Sequence, residues 1–248
     1  MNGVVVITGG SRGIGAATAR RAAQDGWNVV LSYQSDGDAA EAVVADCEAY
    51  GRIALAVRCD VAEEADVLAL FDAVPAGAGP VRGLVNNAGI VAPTMRAADM
   101  DSERIRRMLE VNVLGAFLCA REAVRRMSTA NGGSGGSIVN VSSRAAALGS
   151  PGEYVDYAAS KAALDTLTVG LSKEVAAEGV RVNSVRPGLI ETEIHERNGQ
   201  SGRLERLAPS IPLGRSGTAD EVAAAIVWLL SDESSYTTGT FLDVSGGR

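Results

Sequence analysis

The sequence predicts an α/β domain in which strands and helices alternate along the chain. Three observations carry that expectation. Short β-branched and aliphatic runs at 3–7, 27–31, 53–57, 81–85 and 136–141 have the length and composition of buried parallel strands. Longer stretches between them, such as 38–50 and 63–74, place apolar residues at spacings of three and four, the period of a helix face. The first strand runs directly into a glycine-rich turn, Thr8-Gly9-Gly10-Ser11-Arg12-Gly13-Ile14-Gly15, and then into a helix over 16–24. Strands alternating with helices read as a parallel sheet covered by helices.

Size and composition narrow the choice. The 248 residues suit one large domain or two small ones, and a 46% hydrophobic content is ample for a core. With 23 Lys and Arg against 30 Asp and Glu, the net charge of -7 argues against a nucleic-acid surface, which needs a clustered basic face. The three cysteines, Cys47, Cys59 and Cys119, are odd in number and lack C-x-x-C spacing, so neither a disulfide framework nor a metal site is expected. They read as small buried hydrophobes in a reducing, cytoplasmic protein. No apolar run reaches the roughly 18 residues of a membrane span, and no basic segment leads an apolar one at the N-terminus as in a signal peptide.

Strand, glycine turn and helix in that order bring a phosphate to a helix N-terminus, where free N–H groups bind it. The turn fits neither common template. Gly10 and Gly15 have the Walker spacing, but Ala16 stands where the lysine belongs. G-x-G-x-x-G fails because Thr18 replaces the third glycine. The second strand ends at Ser32-Tyr33, about where an NAD-binding unit carries an acid for the ribose 2′-hydroxyl. An acid there repels a 2′-phosphate, whereas Arg12 in the loop can hold one, so NADP(H) is the expected cofactor. Asp36 and Asp38 lie a little further on and could substitute for the acid, which keeps NAD(H) possible. Asp60, just past the third strand, is placed either to accept from an adenine amino group or to cap the next helix.

Asn86-Asn87-Ala88-Gly89 follows the fourth strand at the sheet edge where cofactors bind. The region 102–127 is helical and holds Asn112 in its interior, a residue that competes for backbone bonds and marks a kink or a bound water. Ser142 and Ser143 end the fifth strand on opposite faces. Tyr157 and Lys161, four apart on a long helix, share one face. A nearby ammonium favours a phenolate and lowers the phenol pKa from about 10. The pair therefore reads as a tuned general acid or base.

Thr8-Gly9-x-x-x-Gly13-x-Gly15, Asn86-Asn87-Ala88-Gly89, Asn112, Ser143 and Tyr157-x-x-x-Lys161 occur here in the order found in the short-chain dehydrogenase/reductase family. Val182-Asn183-Ser184-Val185-x-Pro187-Gly188 and the stretch from Thr238-Gly239 to Gly246-Gly247 also resemble its members, so the likeness covers essentially the whole chain. The resemblance implies one Rossmann-type domain over 1–248, with a seven-stranded parallel sheet and helices on both faces. It implies Tyr157 as proton donor to a carbonyl oxygen, Ser143 as its partner on that oxygen, Lys161 on the nicotinamide ribose, and Asn112 supporting a water on the proton path. It favours Ser143 over Ser142 as the catalytic hydroxyl. Gly9, Ser11, Arg12, Gly13, Ile14, Gly15, Tyr33, Asp60, Val61, Asn87, Ala88, Gly89, Pro187, Gly188, Ile190 and Thr192, with Tyr157 and Lys161, are the implied cofactor contacts. The segment 189–213 is expected to be a mobile lid over the substrate, with His195, the sole histidine, at the surface or on the substrate. Tyr154, which has Ala158 and no Lys four residues on, is expected to flank the substrate pocket.

The expected activity is hydride transfer between nicotinamide and a small carbonyl or alcohol substrate, in branches similar to 3-oxoacyl-carrier-protein reductases and sugar or glucose dehydrogenases. Relatives are usually homotetramers, so a homo-oligomer is expected. The rival reading is a non-catalytic NADP(H)-binding regulator with the same fold, against which the complete set Asn112, Ser143, Tyr157 and Lys161 counts. The epimerase/dehydratase group, with a different glycine loop, ranks last. Arg12→Ala is expected to weaken NADPH binding far more than NADH binding; equal losses in a fluorescence titration would refute the pairing of Arg12 with a 2′-phosphate.

Overall fold

The computed structural model describes residues 3–191 and 208–248. Seven strands form one parallel sheet: β1 (Val4–Ile7), β2 (Asn28–Tyr33), β3 (Ala54–Arg58), β4 (Val81–Asn86), β5 (Gly136–Val141), β6 (Val180–Pro187) and β7 (Phe241–Val244). Their order is β3-β2-β1-β4-β5-β6-β7. The order reverses between β1 and β4, which opens a crevice at the carboxyl ends of those two strands.

Eight α-helices connect and cover the strands: α1 (Gly13–Gln24), α2 (Gly37–Ala49), α3 (Glu64–Asp72), α4 (Ser102–Leu109), α5 (Gly115–Met127), α6 (Ala145–Leu148), α7 (Val155–Glu174) and α8 (Ala219–Leu230), counted among the described residues. Strand alternation decides which side chain meets which layer. Val5, Ile7, Leu31, Val85 and Val139 face α1, α2 and α8, meeting Ala19, Val43 and Ile226. Val4, Val6, Val30, Leu84 and Ile138 face the other way, onto Phe71 of α3 and Cys119 and Met127 of α5. Both layers are fully buried, which is why the strands read as continuous apolar runs. The three cysteines are buried among them; desolvation pushes the Cys47 thiol up to about 11 and Cys59 to about 12, so both stay protonated and inert. Among the described residues no helix is long and apolar enough to cross a membrane.

Helix starts are set by local chemistry. The Asp36 side chain accepts from Ala39 N and starts α2, Asp101 accepts from Arg104 N and starts α4, and Thr218 with Glu221 forms a reciprocal capping box on α8. Three features differ from the sequence expectation. The single helix expected over 102–127 is interrupted by a π-helical turn, Glu110–Leu114, around Asn112. Asp60 caps nothing, because α3 begins later, with Glu63 at its N-cap. The four-residue α6 was not foreseen, being too short to show a period.

Two glycines of the first turn are required by geometry. Gly13 holds a φ of 52°, the left-handed region that glycine favours. A Cβ on Gly15 would lie 2.3 Å from the Gly9 carbonyl oxygen and 2.6 Å from Asn87 Nδ2. Gly15→Ala is therefore expected to cost about 1 to 3 kcal/mol through overpacking. A lower denaturant midpoint with an unchanged slope would register it; an unchanged midpoint would mean that the loop yields freely.

Candidate active site

The crevice at the switch point opens into a cleft of about 860 Å³. One end is built from the glycine turn. The Thr8 hydroxyl donates to the Val85 carbonyl (3.3 Å) and accepts from the backbone N–H groups of Asn87 (3.0 Å) and Ala88 (2.9 Å). Asn87 Nδ2 donates back to the carbonyls of Thr8 and Gly9, each at 2.9 Å. These bonds stitch the ends of β1 and β4 together and hold the turn open towards the cleft. The first turn of α1 carries no acid, and its N-cap Arg12 makes no side-chain cap bond. Gly15 lets the start of α1 pack directly on Gly9 and Asn87, and the free N–H groups of this turn make a cradle that fits a dinucleotide pyrophosphate.

Arg12, Tyr33, Gln34 and Ser35 line the cleft beyond the turn, with Ser11, Gly13 and Ile14 beside them. Neither Asp36 nor Asp38 lines it; Asp36 is used as the cap of α2. Asp60 and Val61 form the next wall. The Asp60 carboxylate accepts from Arg107 Nη2 (2.7 Å), Gln34 Nε2 (3.0 Å) and Ala62 N (3.0 Å). Burial acts to raise its pKa, but the bonds from Arg107 and Ala62 outweigh burial and hold it below the ordinary value.

At the other end, β5 delivers Ser142 and Ser143, and α7 delivers Tyr157 and Lys161. The two serines do different work. Ser142 is buried and its hydroxyl donates to the Lys161 carbonyl (3.1 Å). Ser143 lines the cleft, accepts from Ala145 N (3.1 Å), and faces Tyr157, whose phenol pKa it acts to lower. Lys161 is 4% exposed, and its ammonium donates to the Val141 carbonyl at 2.7 Å. Its Nζ stands 5.7 Å from the centre of the Tyr157 ring. Tyr154 is buried against Tyr157, the two rings edge to face at 5.8 Å, and it lines the cleft.

Asn112 sits in the π-turn with its side chain fully engaged. Its Oδ1 accepts from Ile90 N (2.8 Å), and its Nδ2 donates to the Ile90 carbonyl (2.9 Å) and to Ser160 Oγ (3.0 Å). It thereby ties the loop after β4 to α7. Gly89 lies in the corner between them; a Cβ there would be 3.4 Å from Lys161 Nζ. Pro187, the last residue of β6, and Gly188 and Ile190 just past it close the same wall. Thr192 and His195 lie outside the described residues, as does 192–207 of the segment expected to form a lid.

The family model described as "Enoyl-(Acyl carrier protein) reductase" matches residues 9–248. "Uncharacterized oxidoreductase YgfF" of Escherichia coli (strain K12) is 54% identical over 99% of both chains. The chain belongs to the short-chain dehydrogenase/reductase family. It is an oxidoreductase of the class that acts on CH–OH and C=O groups. "3beta-hydroxysteroid dehydrogenase 1" of Eggerthella lenta is 41% identical over 98% of this chain and 92% of that protein. A short-chain dehydrogenase from Burkholderia cenocepacia J2315, solved in complex with NADP, is 34% identical and superposes with a TM-score of 0.91 over 100% of this chain and 98% of that one.

Electrostatics in this short-chain dehydrogenase/reductase site depart from the sequence expectation in one respect. Lys161 was expected to lower the Tyr157 pKa. Instead burial raises the phenol above 10, and the opposing influence is the hydrogen bond to Ser143. The reason is geometric: the Lys161 ammonium points at the Val141 carbonyl and is itself desolvated. Burial pulls Lys161 down from 10.5 to about 8, opposed by the Asp165 carboxylate one turn on.

Several partners of the site had no sequence signal. Arg107 on Asp60, Ser160 on Asn112 and the Ser142 anchor of Lys161 are contacts between residues 19 to 48 positions apart, invisible to any local spacing rule.

A buried lysine with a depressed pKa has a definite linkage. Between about 8 and 10.5 the unfolded chain binds the Lys161 proton and the folded one does not, so stability from this group rises with pH across that window. Below about 8 the folded protein carries the full cost of the buried charge. Lys161→Met removes this dependence. Relative to the variant, the native protein is expected to gain stability from about pH 8 upward, by at most about 1.4 kcal/mol per pH unit. Parallel melting curves between pH 7 and 10 that stay a constant distance apart would contradict it.

Proposed function

We propose that the protein is an NADP(H)-dependent reductase or dehydrogenase that moves a hydride between nicotinamide and a carbonyl or secondary-alcohol carbon, with Tyr157 as general acid and base. The observation that carries this reading is that Ser143, Tyr157 and Lys161 line one cleft, with the Lys161 ammonium buried 5.7 Å from the centre of the Tyr157 ring. When bound, the nicotinamide supplies or accepts the hydride.

The glycine turn from Gly9 to Gly15 and the start of α1 hold the pyrophosphate. Asp60 and Val61 border the adenine, and Asn87, Ala88, Gly89, Pro187, Gly188 and Ile190 border the nicotinamide half. Tyr157 Oη and Ser143 Oγ share the substrate oxygen. In reduction the phenol gives that oxygen its proton; in oxidation the phenolate takes one from the alcohol. At neutral pH the phenol carries its proton, the form from which reduction starts. Lys161 stands close enough to Gly89 to meet the nicotinamide ribose. The backbone opened by the π-turn at Asn112 is where a proton-relay water finds a carbonyl.

NADP(H) is favoured over NAD(H) because Arg12 lines the cleft next to Tyr33 while Asp36 is engaged as a helix cap. The Burkholderia relative, solved with NADP, is in keeping with that choice. Leu148, Tyr154, Val91 and Leu189 give the substrate end an apolar wall, which suits a carbonyl compound with an apolar body. The hydroxysteroid dehydrogenase name of one relative points the same way. Ile105, Leu109, Leu114, Phe117 and Val155 leave apolar surface exposed along the α4–α5 side, which favours a homo-oligomer through that face. Three unpaired cysteines suit a reducing, cytoplasmic setting.

The test is NADPH oxidation over a panel of ketones, 3-oxoacyl thioesters, quinones and sugars, with Tyr157→Phe beside the native protein. The variant is expected to lose at least about 100-fold in kcat, with NADPH affinity unchanged. Turnover retained by Tyr157→Phe would remove the phenol from the proton step. Tight NADPH binding without turnover on any substrate would favour the regulator reading.

A further inference from the structure

Arg104 and Asp156 stand outside the catalytic set and pair with each other where both side chains are largely covered. Arg104 occupies the first turn of α4, and Asp156 is the residue immediately before Tyr157 in α7. Their side chains are 11% and 3% exposed. Arg104 Nε donates to Asp156 Oδ2 at 2.8 Å and Nη2 donates to Oδ1 at 3.3 Å, so the planar guanidinium takes both carboxylate oxygens. The remaining arm, Nη1, donates to the Pro93 carbonyl at 2.7 Å. Close by, Met95 N donates to the Glu153 carbonyl at 2.7 Å. The Arg104 backbone is itself fixed, since its N–H donates to the capping Asp101.

One side chain thus joins two segments that have no covalent reason to stay together. The first is the loop between β4 and α4, which carries Gly89, Ile90 and Val91 into the cleft. The second is the first turn of α7, which carries Tyr157. We propose that Arg104 is a positioning residue that latches the β4–α4 loop to the N-terminal turn of α7 and so fixes the phenol of Tyr157 relative to the cleft wall facing it. Stability alone is a poor reason for the pair, because desolvating two charges offsets most of their attraction. What a fork with a third arm supplies is geometry: three acceptors from two chain segments at set distances, an arrangement a lysine cannot reproduce. The consequence for turnover rests on Tyr157 being the acid and base; the latch itself does not.

The experiment uses the full chain with Arg104→Met, Arg104→Lys and Asp156→Asn. Arg106→Met, an exposed arginine of the same helix, controls for loss of charge, and Tyr157→Phe controls for the chemistry. Backbone amide exchange, thermal unfolding and steady-state kinetics are read for each. Arg104→Met and Asp156→Asn are expected to speed exchange in both 90–96 and 153–158 and leave it unchanged in β1 and α1. Misplacing the phenol is expected to lower kcat by about 10- to 100-fold, with the cofactor KM unmoved. Arg104→Lys is expected to fall between, and Arg106→Met to match the native protein.

Native exchange in both segments of Arg104→Met would overturn the latch, whatever the activity. A native kcat with only a lower melting temperature would reduce Arg104 to a structural role and overturn the proposal. If Arg104→Met does not fold, Arg104→Lys and Asp156→Asn decide by the same readings. Should Tyr157→Phe keep full turnover, the functional reading fails, and the exchange data still decide the latch.

Discussion

The site depends on how α7 is fastened to the end of β5. Lys161 reaches back from α7 and gives its ammonium to the Val141 carbonyl, while Ser142, the next residue of the chain, gives its hydroxyl to the Lys161 carbonyl. The two bonds run in opposite directions between the same two elements and are both buried. They set the depth and rotation of α7 against the sheet. Tyr157, one turn before Lys161, then arrives beside Ser143, which follows Ser142. The pairing of phenol and hydroxyl is thus a by-product of the fastening. It also explains why two serines stand in succession: alternation sends one inward to hold the helix and one outward to the cleft.

The fastening has an electrostatic cost that the same residues put to use. Lys161 loses solvation and its pKa falls to about 8, with Asp165 limiting the fall. Asp165 is in turn held by Arg186 from β6 at 2.8 Å. The buried ammonium is therefore linked through Asp165 to Arg186, a chain of charges that joins α7 to β6. Tyr157 is desolvated by the same walls, and only the Ser143 hydrogen bond pulls its pKa down. At the glycine turn, the Thr8 and Asn87 bonds across β1 and β4 have the corresponding task of holding a backbone open towards the cleft. Both ends of the cleft are thus shaped by side-chain bonds to backbone at strand termini, where a parallel sheet leaves such groups free.

The parts of this arrangement that were legible in the sequence are those where chemistry demands a local spacing. Tyr157 and Lys161 share a helix face because they are four apart, and the glycine turn is readable because only glycine tolerates its geometry at positions 13 and 15. The interior Asn112 marked a disturbance in a long helix, and the disturbance is a π-turn. What was not legible is what depends on distant partners. Asp60 looked like a helix cap or an adenine acceptor, and its nearest engagement is Arg107, 47 residues on. Asp156, beside Tyr157, carries no local signal because its partner, Arg104, is 52 residues away on another element. Direction is a second blind spot: spacing placed Lys161 near the phenol but could not say that its ammonium points at a strand carbonyl.

The most direct test of the central claim is the pH profile of kcat/KM for carbonyl reduction in the native protein and in Ser143→Ala. With Tyr157 as the proposed donor, reduction needs the protonated phenol, and the account predicts that activity is lost as pH rises through its pKa. Ser143 is the group that lowers this pKa. The account requires the alkaline limb of Ser143→Ala to move to higher pH, with a lower plateau. A limb that stays in place, or that moves to lower pH, would contradict Tyr157 as a proton donor tuned by Ser143.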